Sequence, residues 1–284
     1  MYQNTVIFRA NASPSIGGGH IIRCISLANE LSNRGWNCVF ASDPETLKTM
    51  PIVTDFKVIK LKNDNSADEA KLIYQKYAKP ISVMVVDHYQ RDKVFETSCR
   101  KWTNVIVAID DLPNRQHNAD LLLDQSGGRN KDDYKSFVPP ECEIITGPKF
   151  SLLRHSFSSS TPKNKYQKKG VKTRVFVSLG AVDKLNLTMI VLKILQAMPN
   201  KLDVDILLSR AAPHLQEVAE FCDTNSNFLL HVDIKDPSSI MKHADFSIGS
   251  AGINLWERCA LSIPSVIIIA AENQRLNADY VIKK

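Results

Sequence analysis

Short apolar runs alternate with longer amphipathic segments along the chain, and this alternation constrains the fold more than any other feature. Ser82–Val86 and Val105–Ile109 are continuous apolar runs, typical of strands buried on both faces of a parallel sheet. His20–Arg34 instead repeats its apolar residues at helical spacing, and Gly35 follows as a helix stop. The alternation predicts α/β architecture with parallel sheets.

The alternation runs twice, and a polar stretch separates the two series. This stretch, Ser156–Lys172, is rich in Ser and Lys and is predicted to be a linker. It leaves domains of residues 1–155 and 173–284, in keeping with roughly 100–200 residues per domain. Because parallel sheets bind ligands at the carboxyl ends of their strands, we expect two Rossmann-like domains facing across a cleft. The strands predicted in the second domain are Arg174–Leu179, Val204–Leu208, Phe228–Val232, Phe246–Ile248 and Ser265–Ile269, and its last helix is Asn273–Lys284.

Composition narrows the classes of function. The 36 Lys and Arg residues exceed the 30 Asp and Glu residues by six, without a run of five basic residues, so a nucleic-acid partner is not expected and a nucleotide fits. The longest apolar stretch, Val266–Ala271, is far shorter than the roughly 20 residues of a membrane span. No signal peptide is recognisable, and the six cysteines lack metal-ligand spacing. A cytoplasmic protein without a metal or cofactor is expected.

A glycine-rich turn is predicted between the first strand and the first helix. Gly17, Gly18 and Gly19 lead directly into His20, in a pattern that is neither a dinucleotide fingerprint nor a P-loop. The helix N-terminus favours an anion and disfavours imidazolium, so His20 is expected to be neutral and able to accept a proton. A flexible turn with a surface histidine is the alternative.

Polar residues follow two of the predicted buried strands. Asp87, His88 and Tyr89 follow Ser82–Val86, where Tyr89 has the position to donate to a sugar or phosphate oxygen, although ordinary loop residues fit as well. Asp110 and Asp111 follow the next strand. Because adjacent side chains point apart, we expect this pair to serve the loop rather than a metal.

The second domain repeats the strand, turn and helix arrangement. Ser250, Ala251 and Gly252 form a small-residue turn that suits a pyrophosphate, and Glu257 follows about one helical turn later, where it can reach ribose hydroxyls. Asn273 and Gln274 stand after the last strand, as ligand contacts or as a helix cap.

Several short motifs, taken in their order along the chain, resemble those of a known family. They are Arg9–Ser13 with Ile16–His20 and Arg23, Val86–Tyr89, Ile109–Leu112, Ala119–Gln125, Leu179–Gly180 with Asp183, Asn186 and Thr188, Gly249–Glu257, and Glu272–Gln274. The chain resembles the UDP-2,4-diacetamido-2,4,6-trideoxy-β-L-altropyranose hydrolases of pseudaminic acid biosynthesis, relatives of the MurG-type glycosyltransferases. It departs from the family pattern at Asn11, Ala181 and Val182.

The resemblance implies a GT-B fold and a role for each matching residue. It makes His20 the catalytic base, places Tyr89 near the sugar, and assigns UDP to the turn Ser250–Gly252 and to Glu257. Asn273 and Gln274 would line the same site. The candidate substrate-binding residues are Arg9, Gly17, Gly18, Gly19, Asp87, Ser250, Ala251, Gly252, Glu257, Asn273 and Gln274.

The hypothesis that follows is metal-independent, inverting hydrolysis of a UDP-sugar, in a pathway to cell-surface glycans such as those on flagellin. Two alternatives stay open, a GT-B glycosyltransferase with a UDP-sugar donor and a non-catalytic sugar-nucleotide binding protein. No stable membrane insertion is expected, and the sequence predicts no oligomeric state.

Overall fold

The computed structural model describes residues 4–62, 66–158, 172–199 and 202–283. The chain divides into two compact units. The first comprises Met1–Ser13 and Gly19–Leu152, and the second comprises Pro14–Gly18 and Leu153–Lys284. Residues 159–171 of the predicted linker lie outside the described residues.

The first unit contains a seven-stranded parallel sheet in the order β3-β2-β1-β4-β5-β6-β7. Its strands are β1 (Thr5–Ala10), β2 (Asn37–Ser42), β3 (Lys57–Lys60), β4 (Ile81–Asp87), β5 (Thr103–Ile109), β6 (Leu121–Asp124) and β7 (Glu143–Thr146). Its α-helices are α1 (Gly19–Asn33), α2 (Pro44–Thr49), α3 (Ser66–Tyr77) and α4 (Lys93–Cys99). Short 3₁₀ segments lie at Pro51–Asp55, Lys131–Asp133 and Pro148–Phe150.

The second unit contains a five-stranded parallel sheet in the order β10-β9-β8-β11-β12. Its strands are β8 (Thr173–Ser178), β9 (Leu202–Leu208), β10 (Phe228–Val232), β11 (Phe246–Ser250) and β12 (Ser265–Ile268). Its helices are α5 (His155–Ser158), α6 (Leu187–Gln196), α7 (Leu215–Asp223), α8 (Ser238–Met241), α9 (Ile253–Ala260) and α10 (Arg275–Ile282), with a 3₁₀ turn at Glu272–Gln274. None of the described helices is long and apolar enough to span a membrane.

The predicted α/β class with two Rossmann-like parallel sheets is confirmed, although the sequence pattern missed three strands. These are β3, β6 and β7, each four residues long. β3 lies at an edge of the sheet with lysines at both of its ends, so it lacks the continuous apolar run of an interior strand. The last helix is also shorter than predicted, since a 3₁₀ turn precedes α10.

Both sheets reverse their strand order between two central strands, and this reversal locates the candidate site. In the first sheet the order reverses between β1 and β4, and in the second between β8 and β11. Ligands of open α/β sheets bind outside the carboxyl ends of the strands at this switch point. Burial on both faces explains the apolar runs, because Ile7 and its neighbours Val6 and Phe8 belong to different core clusters.

Candidate active site

The carboxyl ends of β1 and β4 place the start of α1 beside a buried aspartate. The two strands pair in parallel with Ala10 beside Asp87, the last residue of β4. The chain leaves β1 and enters α1 through the predicted turn, where Gly17 has a φ of +76°. That left-handed conformation favours glycine, since a side chain there is strained. The first turn of α1 then directs His20 and Arg23 toward Asp87.

His20, Arg23 and Asp87 form a buried cluster with short contacts. The Nδ1 atom of His20 lies 2.5 Å from Oδ1 of Asp87. Arg23 donates to the same carboxylate at two points, from Nε to Oδ2 and from Nη2 to Oδ1, each at 2.6 Å. Such a two-point, charge-assisted pair fixes the plane of the carboxylate as well as its charge. The histidine is therefore held by an anion that is itself held in place.

The protonation states in this cluster follow from its charges. Burial alone would raise the pKa of Asp87, but the charges and hydrogen bonds of Arg23 and His20 hold it below its ordinary value. Burial would lower the pKa of Arg23, but Asp87 keeps it well above its ordinary value. An ionised Asp87 accepts a hydrogen bond, so we assign a proton to Nδ1 of His20. The other ring nitrogen, Nε2, has no hydrogen-bond partner within the described residues.

Tyr89 and Asp111 extend the histidine cluster. The ring of Tyr89 meets that of His20 edge to face, with centroids 4.7 Å apart. The Tyr89 hydroxyl donates to Oδ2 of Asp111 at 3.3 Å, and Nη1 of Arg23 lies 3.9 Å from the same oxygen. The other oxygen of Asp111 is buried without a hydrogen-bond partner. The cluster therefore holds a histidine nitrogen and a carboxylate oxygen that have no hydrogen-bond partner among the described residues.

Asp110, by contrast, serves its loop as the sequence predicts. It accepts from the backbone of Leu112 at 3.1 Å and pairs with Arg115 at 2.9 Å and with His117 at 3.1 Å. The two aspartates thus turn to different partners. Among the described residues, no three His, Cys, Asp or Glu side chains are grouped to hold a metal ion.

Arg9 and His88 belong to a second group of buried polar residues. His88 directly follows Asp87 in the sequence. Nε of Arg9 donates to Glu69 at 2.6 Å, and Arg91 donates to the other oxygen of Glu69 at 2.6 Å. Burial together with the charges of Arg9 and Arg91 lowers the pKa of His88 to about 2. His88 is therefore neutral over the physiological range, and its Nδ1 accepts from the backbone of Gln90 at 3.0 Å. A binding role for Arg9 stays a prediction, since Glu69 engages its guanidinium.

In the second unit, the predicted small-residue turn leads from β11 into α9. Ser250 ends the strand, and Gly252 precedes the helix without any side-chain cap. Asn277 donates to the carbonyl of Ala251 at 3.0 Å, and Asn254 donates to the hydroxyl of Ser178 at 2.9 Å. A turn with uncapped N–H groups at the positive end of a helix dipole suits an anion.

The corresponding turn between β8 and α6 differs because a carboxylate binds the N–H groups at the start of its helix. Asp183 accepts from the backbone of Leu187 at 3.0 Å and from that of Thr188 at 2.8 Å. The carboxylate of Asp183 thus caps α6 and places a negative charge at its N-terminus. The φ angles of Asp183 and Asn186 are +41° and +53°, so this turn keeps its conformation at some cost in strain.

The remaining predicted residues lie around the β11–α9 turn and on α9. Glu257 is buried and pairs through Oε1 with Arg154, whereas its Oε2 is buried without a partner. Burial, partly offset by Arg154 and Arg258, raises the pKa of Glu257 to about 7. Gln274 accepts from the backbone of Ala270 at 3.1 Å, and Asn273 lies beside it in the 3₁₀ turn.

Two residues of the histidine cluster were not among the candidates named from the sequence. The sequence motifs include Arg23 without predicting a site role for it, and they predict a loop role for Asp111. Arg23 follows His20 by three positions in α1, a spacing that places two side chains on one helix face. That spacing was the available signal. No sequence signal distinguished Asp111 from Asp110.

The comparisons with known proteins extend over the whole chain. No family model matches it. The chain is 25% identical to the UDP-2,4-diacetamido-2,4,6-trideoxy-beta-L-altropyranose hydrolase of Campylobacter jejuni, over 98% of this chain and 96% of that protein. An uncharacterized protein of Methanocaldococcus jannaschii is 27% identical over 96% of this chain and 57% of its own length.

Solved structures with the same fold are more distant in sequence. MurG of Acinetobacter baumannii superposes with a TM-score of 0.63 at 12% identity, covering 98% of this chain and 83% of that chain. The resemblance predicted from the sequence motifs is thereby confirmed. The chain is similar along nearly its whole length to a hydrolase of a UDP-linked diacetamido-trideoxy sugar, and it has the two-domain fold of MurG-type GT-B glycosyltransferases.

Proposed function

We propose that this protein is an enzyme that hydrolyses a UDP-linked 2,4-diacetamido-2,4,6-trideoxyhexose of the altrose type to UDP and the free sugar, with inversion at the anomeric carbon. The similarity to a hydrolase of that name over 98% of the chain supports the substrate class. The corresponding pathway is pseudaminic acid biosynthesis.

One observation carries the proposal of hydrolysis. His20 is buried, its Nδ1 is bound by Asp87, and its Nε2 has no partner among the described residues. A neutral imidazole with a fixed tautomer and one available nitrogen is the arrangement of a general base. Such a base contributes roughly 10²–10⁴-fold to the rate in typical enzymes.

In the proposed reaction, a water molecule attacks the anomeric carbon on the face opposite to UDP. The new bond joins this carbon to the water oxygen, and the bond between the carbon and the UDP oxygen breaks with its electron pair leaving on UDP. Nε2 of His20 takes the proton of the water, and the ionised Asp87 stabilises the imidazolium that forms. The proton then passes to solvent or to the released UDP, which restores neutral His20.

The proposal assigns the diphosphate to the β11–α9 turn rather than to the β8–α6 turn. The uncapped N–H groups of α9 favour an anion, whereas Asp183 already supplies a negative charge at α6. Tyr89 and the partnerless oxygen of Asp111 are assigned to the sugar or the attacking water.

A ¹H and ³¹P NMR time course with the purified protein and the UDP-sugar tests the proposal. We expect UDP and a free sugar whose first-formed anomer is inverted, at the same rate with and without a chelator. Retention of the anomeric configuration would contradict direct attack by water. A chelator-sensitive rate would contradict metal independence.

Glycosyl transfer is the second candidate function, because MurG and the other neighbours of known structure include glycosyltransferases. The same time course separates the two. A transferase releases UDP when an acceptor alcohol is added, whereas the hydrolase releases it from the UDP-sugar alone. Binding of UDP without turnover under either condition would support a non-catalytic binding protein.

A further inference from the structure

Arg258 is a fully buried arginine beneath the β11–α9 turn, and the reaction proposed above does not use it. It lies in α9, but its side chain returns toward the end of β11, where Nη2 donates to the carbonyl oxygen of Ser250 at 2.7 Å. Its Nε and Nη1 atoms are buried without a hydrogen-bond partner. A guanidinium in this condition is costly, because burial removes water from its N–H groups without replacing it.

The backbone of Gly249 leaves just enough room for this guanidinium. A Cβ atom at position 249 would lie 2.0 Å from Nη1 and 2.7 Å from Cζ of Arg258. It would also lie 2.9 Å from the carbonyl oxygen of Ser178. The glycine at this position therefore brings the positive charge directly against the backbone of the turn.

No carboxylate of the described residues is paired directly with Arg258. Glu257 is the carboxylate next to it in the chain, but Arg154 pairs with Glu257. No ion pair of Arg258 within 4.0 Å is found among residues 4–62, 66–158, 172–199 and 202–283. Arg154 takes the Glu257 carboxylate and also lies near Asp236, so within the described residues Arg258 has no carboxylate paired with its own guanidinium. Burial lowers the pKa of Arg258 to about 10, which still leaves it charged at neutral pH.

We propose that Arg258 is a positioning and charge-supplying residue of the nucleotide site, which fixes the Ser250 carbonyl and favours a diphosphate over an uncharged nucleoside at the turn. This inference rests on the proposed assignment of UDP to the β11–α9 turn. The reason is electrostatic. An anion at the turn supplies the missing counter-charge, and the interaction is weakly screened because the guanidinium is buried.

Binding of UDP, UMP and uridine by calorimetry tests the inference on the full chain. Arg258→Met keeps much of the side-chain length and removes the charge, whereas Arg258→Lys keeps the charge. We expect Arg258→Met to weaken UDP binding by about 10–100-fold and uridine binding by less than about threefold, with UMP between them. Arg210→Met is the matched control, because Arg210 is an exposed arginine of the same unit, paired with Asp233. It should leave all three affinities within about twofold.

The ratio of UDP to uridine affinity separates an electrostatic role from a structural one. Equal losses of UDP and uridine binding in Arg258→Met would overturn the inference and leave a purely structural arginine. If the methionine variant does not fold, Arg258→Lys decides, since a retained charge should keep the ratio within about threefold of the wild type. A fall of more than about threefold in the ratio of UDP to uridine affinity in Arg258→Lys would also overturn the inference. Failure of the wild-type protein to bind UDP at all would instead reject the proposed nucleotide site, and the inference with it.

Discussion

The two switch points of this molecule are surrounded by different kinds of residue. In the first unit, the end of β4 is surrounded by charged side chains that neutralise one another, with His20 and Arg23 both bound to Asp87. In the second unit, the end of β11 offers small residues, uncapped backbone N–H groups and the buried guanidinium of Arg258, two nitrogens of which have no hydrogen-bond partner. Under the proposed function, one fold class supports a proton-transfer site built from side chains and an anion site built largely from backbone.

The difference follows from what each chemistry requires. A general base needs one defined tautomer, and a buried carboxylate held by an arginine provides it without motion. A diphosphate needs several donors at close range, which side chains at the turn would obstruct. We therefore expect substitutions in the first unit to affect turnover and substitutions in the β11–α9 turn to affect nucleotide affinity or folding.

His20→Ala should have the largest effect. Removing the proton acceptor is expected to lower turnover of the UDP-sugar by about 10²–10⁴-fold. Affinity for UDP should stay within about threefold, because the first-unit cluster is not assigned to the nucleotide. Arg23 still binds Asp87 at two points, so the fold should persist. Turnover by NMR and UDP affinity by calorimetry measure the two quantities.

Added imidazole offers a sharper readout for the same variant. Imidazole in the space left by the ring should restore part of the lost turnover in His20→Ala and should not change the wild-type rate. His214→Ala is the control, because His214 is a partly exposed histidine of the second unit. Normal turnover in His20→Ala would remove the base from the proposed mechanism.

Gly249→Ala addresses the other side of the comparison. Its methyl group would collide with the guanidinium of Arg258, which is fully buried, and with the backbone carbonyl of Ser178. We expect a loss of about 3 kcal/mol in the free energy of unfolding, at the upper end of overpacking costs. Gly19→Ala is a suitable comparison, since a Cβ there would meet no heavy atom within 4 Å. Urea denaturation measures both, and equal stability of the two variants would contradict the close approach of Arg258.

His117 is expected to contribute to the free energy of unfolding in a way that depends on pH. Burial opposes its charge, but hydrogen bonds and charges of Asp110 and Glu96 raise the pKa of His117 to about 9. Because this pKa lies above the ordinary value for histidine, protonated His117 stabilises the fold fully below about pH 6.5. This contribution is lost as the pH rises through about 9. The contribution is about 3 kcal/mol at most. His117→Gln should flatten the stability between pH 6.5 and 9, which urea denaturation across that range will measure.

The sequence predicted the parts of both sites that local patterns record. The turn Gly17–Gly19 and the turn Ser250–Gly252 were found because small residues between a strand and a helix have few other uses. The sheets were found because interior strands are continuously apolar. β3, β6 and β7 were missed, since each has only four residues and at least one of them is charged, whereas the equally short β12 has no charged residue.

Contacts between distant residues could not be predicted in the same way. Arg23 and Asp87 are 64 positions apart, and no local pattern pairs them. Arg9 illustrates the opposite case. Its motif predicts contact with a ligand, whereas in the structure its side chain binds Glu69. No sequence motif marks Arg258, since what distinguishes it is that two of its buried nitrogens have no hydrogen-bond partner.

The smallest predicted effect compares the two turns of the second unit directly. Asp183→Ala removes the carboxylate that caps α6 and should lower the free energy of unfolding by about 1 kcal/mol. It should not weaken UDP binding, because the nucleotide is assigned to the uncapped helix α9. Removal of a nearby negative charge would if anything favour an anion. A marked loss of UDP affinity without further unfolding would mean that the β8–α6 turn contacts the nucleotide, and would remove the contrast between the two turns. Calorimetry on the folded variant, at the salt concentration used for the wild type, gives the answer.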